Sequence, residues 1–155
     1  MPGRVHFENG AKIEYKYDAS GGKHEVKHTK PGITDLTTAY LSNKIYENGN
    51  LKMILTEDGY VTKQGSTYNY YFYLKDRLGN NRVVIDRSGN VKQVTNYYPF
   101  GASFAEYPRR NDQEVQPYKF GDKELDRMYG LDMYDFHARQ YDPVLGRFTT
   151  MDPLA

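Results

Sequence analysis

Residues able to do chemistry gather toward the C-terminal end, where Asp135, His137, Arg139 and Asp142 fall within one short stretch. On a strand, positions 135, 137 and 139 share a face, which would make an Asp–His–Arg ladder able to hold or move a proton. A structural histidine beside a carboxylate explains the same residues without catalysis. A hydrolase built on Asp135, His137 and Asp152 lacks a recognisable nucleophile or metal set. His24 and His28, four apart, could offer two metal ligands from a helix face. Val26 and Thr29, followed by Pro31-Gly32, instead favour strand and loop, and no third ligand is recognisable nearby. Tyr70, Tyr71 and Tyr73 could stack on sugar rings, or could be packing surface, since aromatics carry much of the energy of cores and interfaces. The Arg109-Arg110 pair could meet an anion or a processing protease, or could be solvated loop. No Ser-His-Asp spacing, glycine-rich phosphate loop or dinucleotide fingerprint is present.

The elements that must position these residues read as strands. Around Asn9-Gly10, residues 4–17 alternate, with Ile13, Tyr15 and Tyr17 on one face and Lys12, Glu14 and Lys16 on the other. That period of two marks a half-buried strand. Asp18-Ala19-Ser20-Gly21-Gly22 breaks it. Residues 34–41 fit either a strand or a frayed helical turn. From Asn43 a meander is expected, with turns at Asn48-Gly49, Asp58-Gly59, Leu78-Gly79-Asn80 and Ser88-Gly89-Asn90, because Asn-Gly and Asp-Gly suit hairpin turns. Tyr68–Leu74 carries aromatics on both faces, as expected of a strand covered on both sides or meeting another chain. Residues 102–116 lose periodicity and read as an exposed loop. Beyond Tyr118, turns are expected at Phe120-Gly121-Asp122, Tyr129-Gly130-Leu131, Asp142-Pro143, Leu145-Gly146 and Asp152-Pro153. Short strands fit within 131–140 and 147–150, and 124–128 could be one helical turn or an exposed turn. The fold class is therefore mainly β: an antiparallel hairpin meander followed by a turn-rich segment of short strands.

Composition narrows the function. Lys and Arg number 21 against 20 Asp and Glu, a formal net charge of +1 that argues against a dedicated nucleic-acid binder. Cysteine is absent, so disulfides and thiolate metal sites are unavailable. Mean hydropathy is −0.85, yet 16 tyrosines and 7 phenylalanines oppose disorder. No apolar run approaches the ~18–20 residues that span a bilayer. The opening MPGRVHFENG has no apolar signal core, so any export address is expected outside this sequence. No cofactor is called for.

Several phrases at fixed spacing carry a resemblance. Gly121–Asp126, Gly130–Tyr134, Ala138–Pro143, Leu145–Phe148 and Asp152–Leu154 together resemble the rearrangement-hotspot (Rhs) repeat-associated core domain. YKYDASGGK resembles the tyrosine–aspartate (YD) repeat, and Tyr97–Gly101 resembles the YYPFG element that precedes that core. That family is related to the toxin-complex C proteins. The resemblance implies YD-type hairpins over 1–101, a loop over 102–117 and part of the core over 118–155. Such proteins spiral a β ribbon into a hollow shell that isolates a C-terminal toxin, used between bacteria or against host cells. It implies secretion or surface display, and partners in the rest of the shell and in the toxin.

The resemblance also places an aspartic-protease-like self-cleaving device in the core and maps it onto Arg139 and Asp152. A second aspartate is expected downstream, beyond residue 155, so the chain as given is expected to be structural and inactive. A carboxylate dyad needs both members. Unpaired edges and uncovered aromatic faces lead to an expectation of self-association.

Overall fold

A computed structural model of the chain describes residues 3–109 and 116–152. Its elements are strands, with two short 3-10 turns and no α-helix among the described residues. The strands are β1 (Arg4–His6), β2 (Lys12–Tyr17), β3 (Lys23–Lys30), β4 (Ile33–Leu41), β5 (Lys44–Glu47), β6 (Asn50–Thr56), β7 (Gly59–Gln64), β8 (Thr67–Lys75), β9 (Asn81–Asp86), β10 (Val91–Tyr97) and β11 (Ser103–Tyr107). These form one eleven-stranded antiparallel sheet whose order follows the chain. Four shorter strands, β12 (Glu124–Asp126), β13 (Met133–Asp135), β14 (Gln140–Asp142) and β15 (Arg147–Phe148), make a second sheet, also in chain order. The expected meander with a short-strand C-terminal segment is what forms. The chain divides into two compact units, 1–69 and 70–155.

One loop design recurs through the meander. In Phe7–Ala11, Asp18–Gly22, Asp76–Asn80, Asp86–Asn90 and Tyr98–Ala102, the first residue's N–H donates to the fifth's carbonyl and the fourth's N–H donates back to the first's carbonyl. The fourth residue is always a glycine with φ between +80° and +94°. A turn closed by one left-handed residue matches the twist of an antiparallel pair, and glycine takes that conformation without a Cβ penalty. Asp18, Asp76 and Asp86 add their side chains. Each Oδ1 accepts the N–H groups two and four residues on, at 2.8–3.1 Å. The aspartate of the Tyr-Asp phrase is therefore a loop organiser.

In the first unit one strand face is buried, through Ala11, Ile13, Val26, Ile45, Met53 and Tyr60. The other face carries ion pairs between neighbouring strands: Arg4–Glu14 at 2.6 Å, Lys16–Glu25 at 2.6 Å and Lys27–Asp35 at 2.8 Å. Opposite charges across strands stabilise a pairing modestly and penalise slipped registers. Asn48 and Gly49 both take positive φ, as a two-residue type I′ hairpin requires. The next turn falls one residue earlier than its Asp-Gly step suggests. Thr56 pairs with Gly59, so Glu57-Asp58 makes the bend and Gly59 is buried at the start of β7. Residues 34–41 resolve to strand because β3 and β5 pair with them from both sides.

In the second unit the C-terminal segment is clamped to two meander loops. Asn81 donates its N–H to the Lys119 carbonyl and its Nδ2 to Tyr118 O and Asp122 Oδ1, while Gly121 N–H donates to Asn80 Oδ1. The hydroxyls of Tyr134 and Tyr141 donate to the carbonyls of Gly101 and Phe100. Phe120 sits among Tyr97, Tyr134 and Tyr141, with ring centroids 5.9–6.5 Å away. A Cβ on Gly101 would lie 2.6 Å from the Phe120 ring, so glycine is needed there for approach as well as for φ.

Two readings change. The loop expected over 102–117 contains β11 at its start, paired to β10 from Val94↔Tyr107 to Tyr97↔Ser103, and its Gln116 is buried. Five residues with Phe104 and Ala105 both exposed give no clean alternation, which hid the strand. Residues 124–128 form β12 and the start of a 3-10 turn, Met128–Gly130, instead of a helical turn. Arg110, the rest of that loop to 115, Pro153 and Leu154 lie outside the described residues.

Candidate functional site

The Arg139 and Asp152 side chains meet, with Nη2 3.0 Å from Oδ2. β14 and β15 hold the surroundings: Tyr141 pairs with Phe148, and the Arg139 guanidinium stacks 3.8 Å above the Phe148 ring. Phe136, Tyr141 and Phe148 form an aromatic trio with centroids 5.4–5.5 Å apart. Stacking fixes the plane of the guanidinium and limits the direction from which a carboxylate can approach. Asp152 remains 43% exposed, so the pair is a surface contact supported from one side.

The Asp–His–Arg ladder does not form. β13 ends at Asp135, and the chain turns through His137, whose φ is +65°. Asp135 Oδ1 accepts the His137 backbone N–H at 2.7 Å, and Asp142 Oδ1 accepts those of Val144 and Leu145. Both aspartates thus have turn-forming roles, and Arg139 and Asp152 are the predicted catalytic pair whose side chains meet. His28 is buried on β3 and His24 is exposed on the same strand. Among the described residues no cluster of three His, Asp or Glu suits a metal.

Tyr70, Tyr71 and Tyr73 do not share a face. β8 alternates, with Tyr70, Phe72 and Leu74 exposed at 41–49% and Tyr71 and Tyr73 half-buried opposite them. A sugar platform using all three would need rings from both faces of one strand.

Sequence reading missed the most buried charges of the second unit. Arg127 grips Glu106 with both terminal nitrogens, Nη1 to Oε2 at 2.7 Å and Nη2 to Oε1 at 2.6 Å, and Nη2 also donates to Ser103 Oγ. The fully buried Lys119 reaches Glu106 Oε1 at 3.2 Å. Burial pushes the Glu106 carboxyl up, but the Arg127 hydrogen bonds and the charges of Lys119 and Arg127 outweigh it and hold the pKa at about 2. Beside this cluster opens a cleft of about 460 Å³, with Ser103, Phe104, Glu106, Arg127, Asp132 and Val144 among its lining. Glu106 lies on β11 while Lys119 and Arg127 come from two later turns, so no local spacing announces the cluster.

No protein-family model matches the chain. Its fold superposes on the crystal structure of TcdB2-TccC3 with a TM-score of 0.77 over 99% of the chain, at 17% identity. The chain shares the fold of a segment of a toxin-complex chain. The same assembly without its hypervariable C-terminal region gives 0.78 over 99% of the chain at 17% identity. The Photorhabdus luminescens Tc holotoxin pore gives 0.75 over 97%, also at 17% identity. The chain spans only 9%, 8% and 8% of those chains, respectively. Salivary gland surface protein 1 of Aedes aegypti is 36% identical over 85 residues, which is 55% of this chain and 2% of that protein. At this identity the likeness is one of fold: an antiparallel β meander followed by a small second sheet.

Proposed function

We propose that the chain is wall and end-piece of a hollow Rhs/YD-repeat shell, and that the complete protein uses this shell to contain a C-terminal toxin. The observation that carries the reading is the meander itself, with one glycine-closed loop repeated along it, superposing over 99% of its length on a toxin-complex chain. On this reading 1–101 is ribbon, 102–117 joins it to the end-piece and 118–155 is that end-piece. Its partners are the remaining shell and the enclosed toxin, and the complete protein is secreted or surface-displayed for competition between bacteria or attack on hosts.

Arg139 and Asp152 then belong to a self-cleaving site completed by a second aspartate. The Arg139 guanidinium, 3.0 Å from Asp152, holds that carboxylate in place for the second one, since a carboxylate dyad needs both members. The test is expression of the full-length protein that carries this sequence. A cut downstream of Asp152 that both Asp152→Asn and Arg139→Ala abolish, with the particle intact, supports self-cleavage. An uncut wild-type chain, or a cut that survives both substitutions, contradicts it.

A further inference from the structure

Arg139 and Asp152 meet near the surface, where an ion pair on its own does little to fix two long-reaching side chains. The support lies underneath. The guanidinium carbon of Arg139 stands 3.8 Å from the centroid of the Phe148 ring, in face contact. Phe148 is itself held by its neighbours. Its backbone pairs with Tyr141, and its ring meets those of Phe136 and Tyr141 edge-on, with centroids 5.4 Å away. Tyr141 is anchored in turn, its hydroxyl donating to the Phe100 carbonyl. One residue beyond Phe148, Thr149 donates both its N–H and its hydroxyl to the Gln140 carbonyl. The residue after Arg139 is thereby tied to the stretch that leads to Asp152.

We propose that Phe148 is the positioning residue of this pair: its ring sets the plane of the Arg139 guanidinium, and so the edge at which Asp152 is held for self-cleavage. The role in cleavage rests on the self-cleaving site proposed above. A guanidinium donates its hydrogen bonds in its own plane, from donors in a rigid fork. With one face against Phe148, Nη2 is turned to Asp152 Oδ2 at 3.0 Å, and the remaining donors keep a fixed direction for a second carboxylate. Without the ring the flexible side chain is free to rotate, and the carboxylates lose their common reference. Misplacing a reacting group by about 1 Å can cost on the order of a hundredfold in rate. Phe148 acts through Arg139 and touches no reacting atom.

Two leucine substitutions in the full-length protein carrying this sequence separate positioning from packing. Phe148→Leu removes the ring beneath the guanidinium. Phe136→Leu removes another ring of the same trio, while the Phe136 N–H still donates to the Arg139 carbonyl. Both should lower stability, but Phe148→Leu should slow cutting by about tenfold or more and Phe136→Leu should leave it near wild type. Phe148→Tyr, which keeps a ring, should restore the rate. Equal rates in the two leucine variants overturn the proposal. A wild type that is never cut sinks the self-cleaving reading alone, and the alignment is then read by NMR in the 155-residue chain. Asp152→Asn should shift the Arg139 Nε–H resonance when Phe148 is present and leave it nearly unmoved in a Phe148→Leu background. The same shift in both backgrounds would show a guanidinium aligned without the ring, and would overturn the proposal.

Discussion

Glu106 receives both terminal nitrogens of Arg127, at 2.7 and 2.6 Å, where the Arg127 side chain is 3% exposed and that of Glu106 is 10%. The contact ties β11 to the turn after β12 and so joins the meander of the second unit to its C-terminal sheet. Removing one member leaves a buried charge without its partner. Arg127→Met is therefore expected to cost about 3–5 kcal/mol, read by denaturant unfolding. Lys119 alone cannot replace the two-pronged geometry.

The same pair sets an acid limb. Its folded-state pKa, about 2, lies below the ordinary glutamate value of 4.5. The stabilisation is thus fully present above about 4.5 and lost as pH falls toward 2. Glu106→Gln should lower stability at neutral pH and flatten that limb, as measured by unfolding between pH 6 and about 2.

The loop aspartates predict a local effect. At Asp86 the Asn90 side chain, then the Asn90 N–H, hold the carboxyl far below its usual range; at Asp18 the Ser20 hydroxyl and Gly22 N–H lower it. At Asp76 burial works the other way, but the bonds from Asn80 and Leu78 prevail and the pKa is again lowered. These contributions are present above the normal carboxylate range and fade as pH falls below it. Asp86→Ala should speed amide exchange at Ser88 and Asn90, whose N–H groups lose their acceptor, while the rest of the second unit keeps its protection.

Two glycines separate backbone strain from crowding. Gly89 has φ +82° with open space where a Cβ would go, so Gly89→Ala should cost about 1 kcal/mol. Gly101 has φ +94° and the Phe120 ring at 2.6 Å, so Gly101→Ala should cost roughly 2–4 kcal/mol. Adding Phe120→Ala to Gly101→Ala relieves the clash, so the two losses should be less than additive.

The hairpins were legible because a left-handed turn position leaves a mark: glycine at the fourth place of each recurring loop, and Asn48-Gly49 in the two-residue one. The Asp58-Gly59 step misled by one residue, since a buried Gly59 pairing with Thr56 looks in sequence like a turn glycine. β11 escaped notice because its inward residue is a charged Glu106, an alternation that hydrophobicity alone does not reveal. The Glu106–Arg127–Lys119 cluster was invisible for a related reason: three ordinary surface-type residues, spaced along the chain, become a buried network only after folding. Arg139 and Asp152 came from resemblance to a family, and their contact is a tertiary fact that spacing could not supply.

Asp152→Asn distinguishes function from stability. With Asp152 43% exposed, its pairing with Arg139 should contribute less than about 1 kcal/mol. Thermal unfolding of the variant should therefore stay close to wild type, and any loss of self-cleavage would then be chemical in origin.

Electron cryomicroscopy of the full-length protein carrying this sequence tests the containment role most directly. A closed, hollow β particle with the Asp76–Asn80 and Asp86–Asn90 hairpins in its wall is the expected result. A solid globular domain, or these strands lining a ligand-filled catalytic cleft with no enclosed chamber, would contradict it.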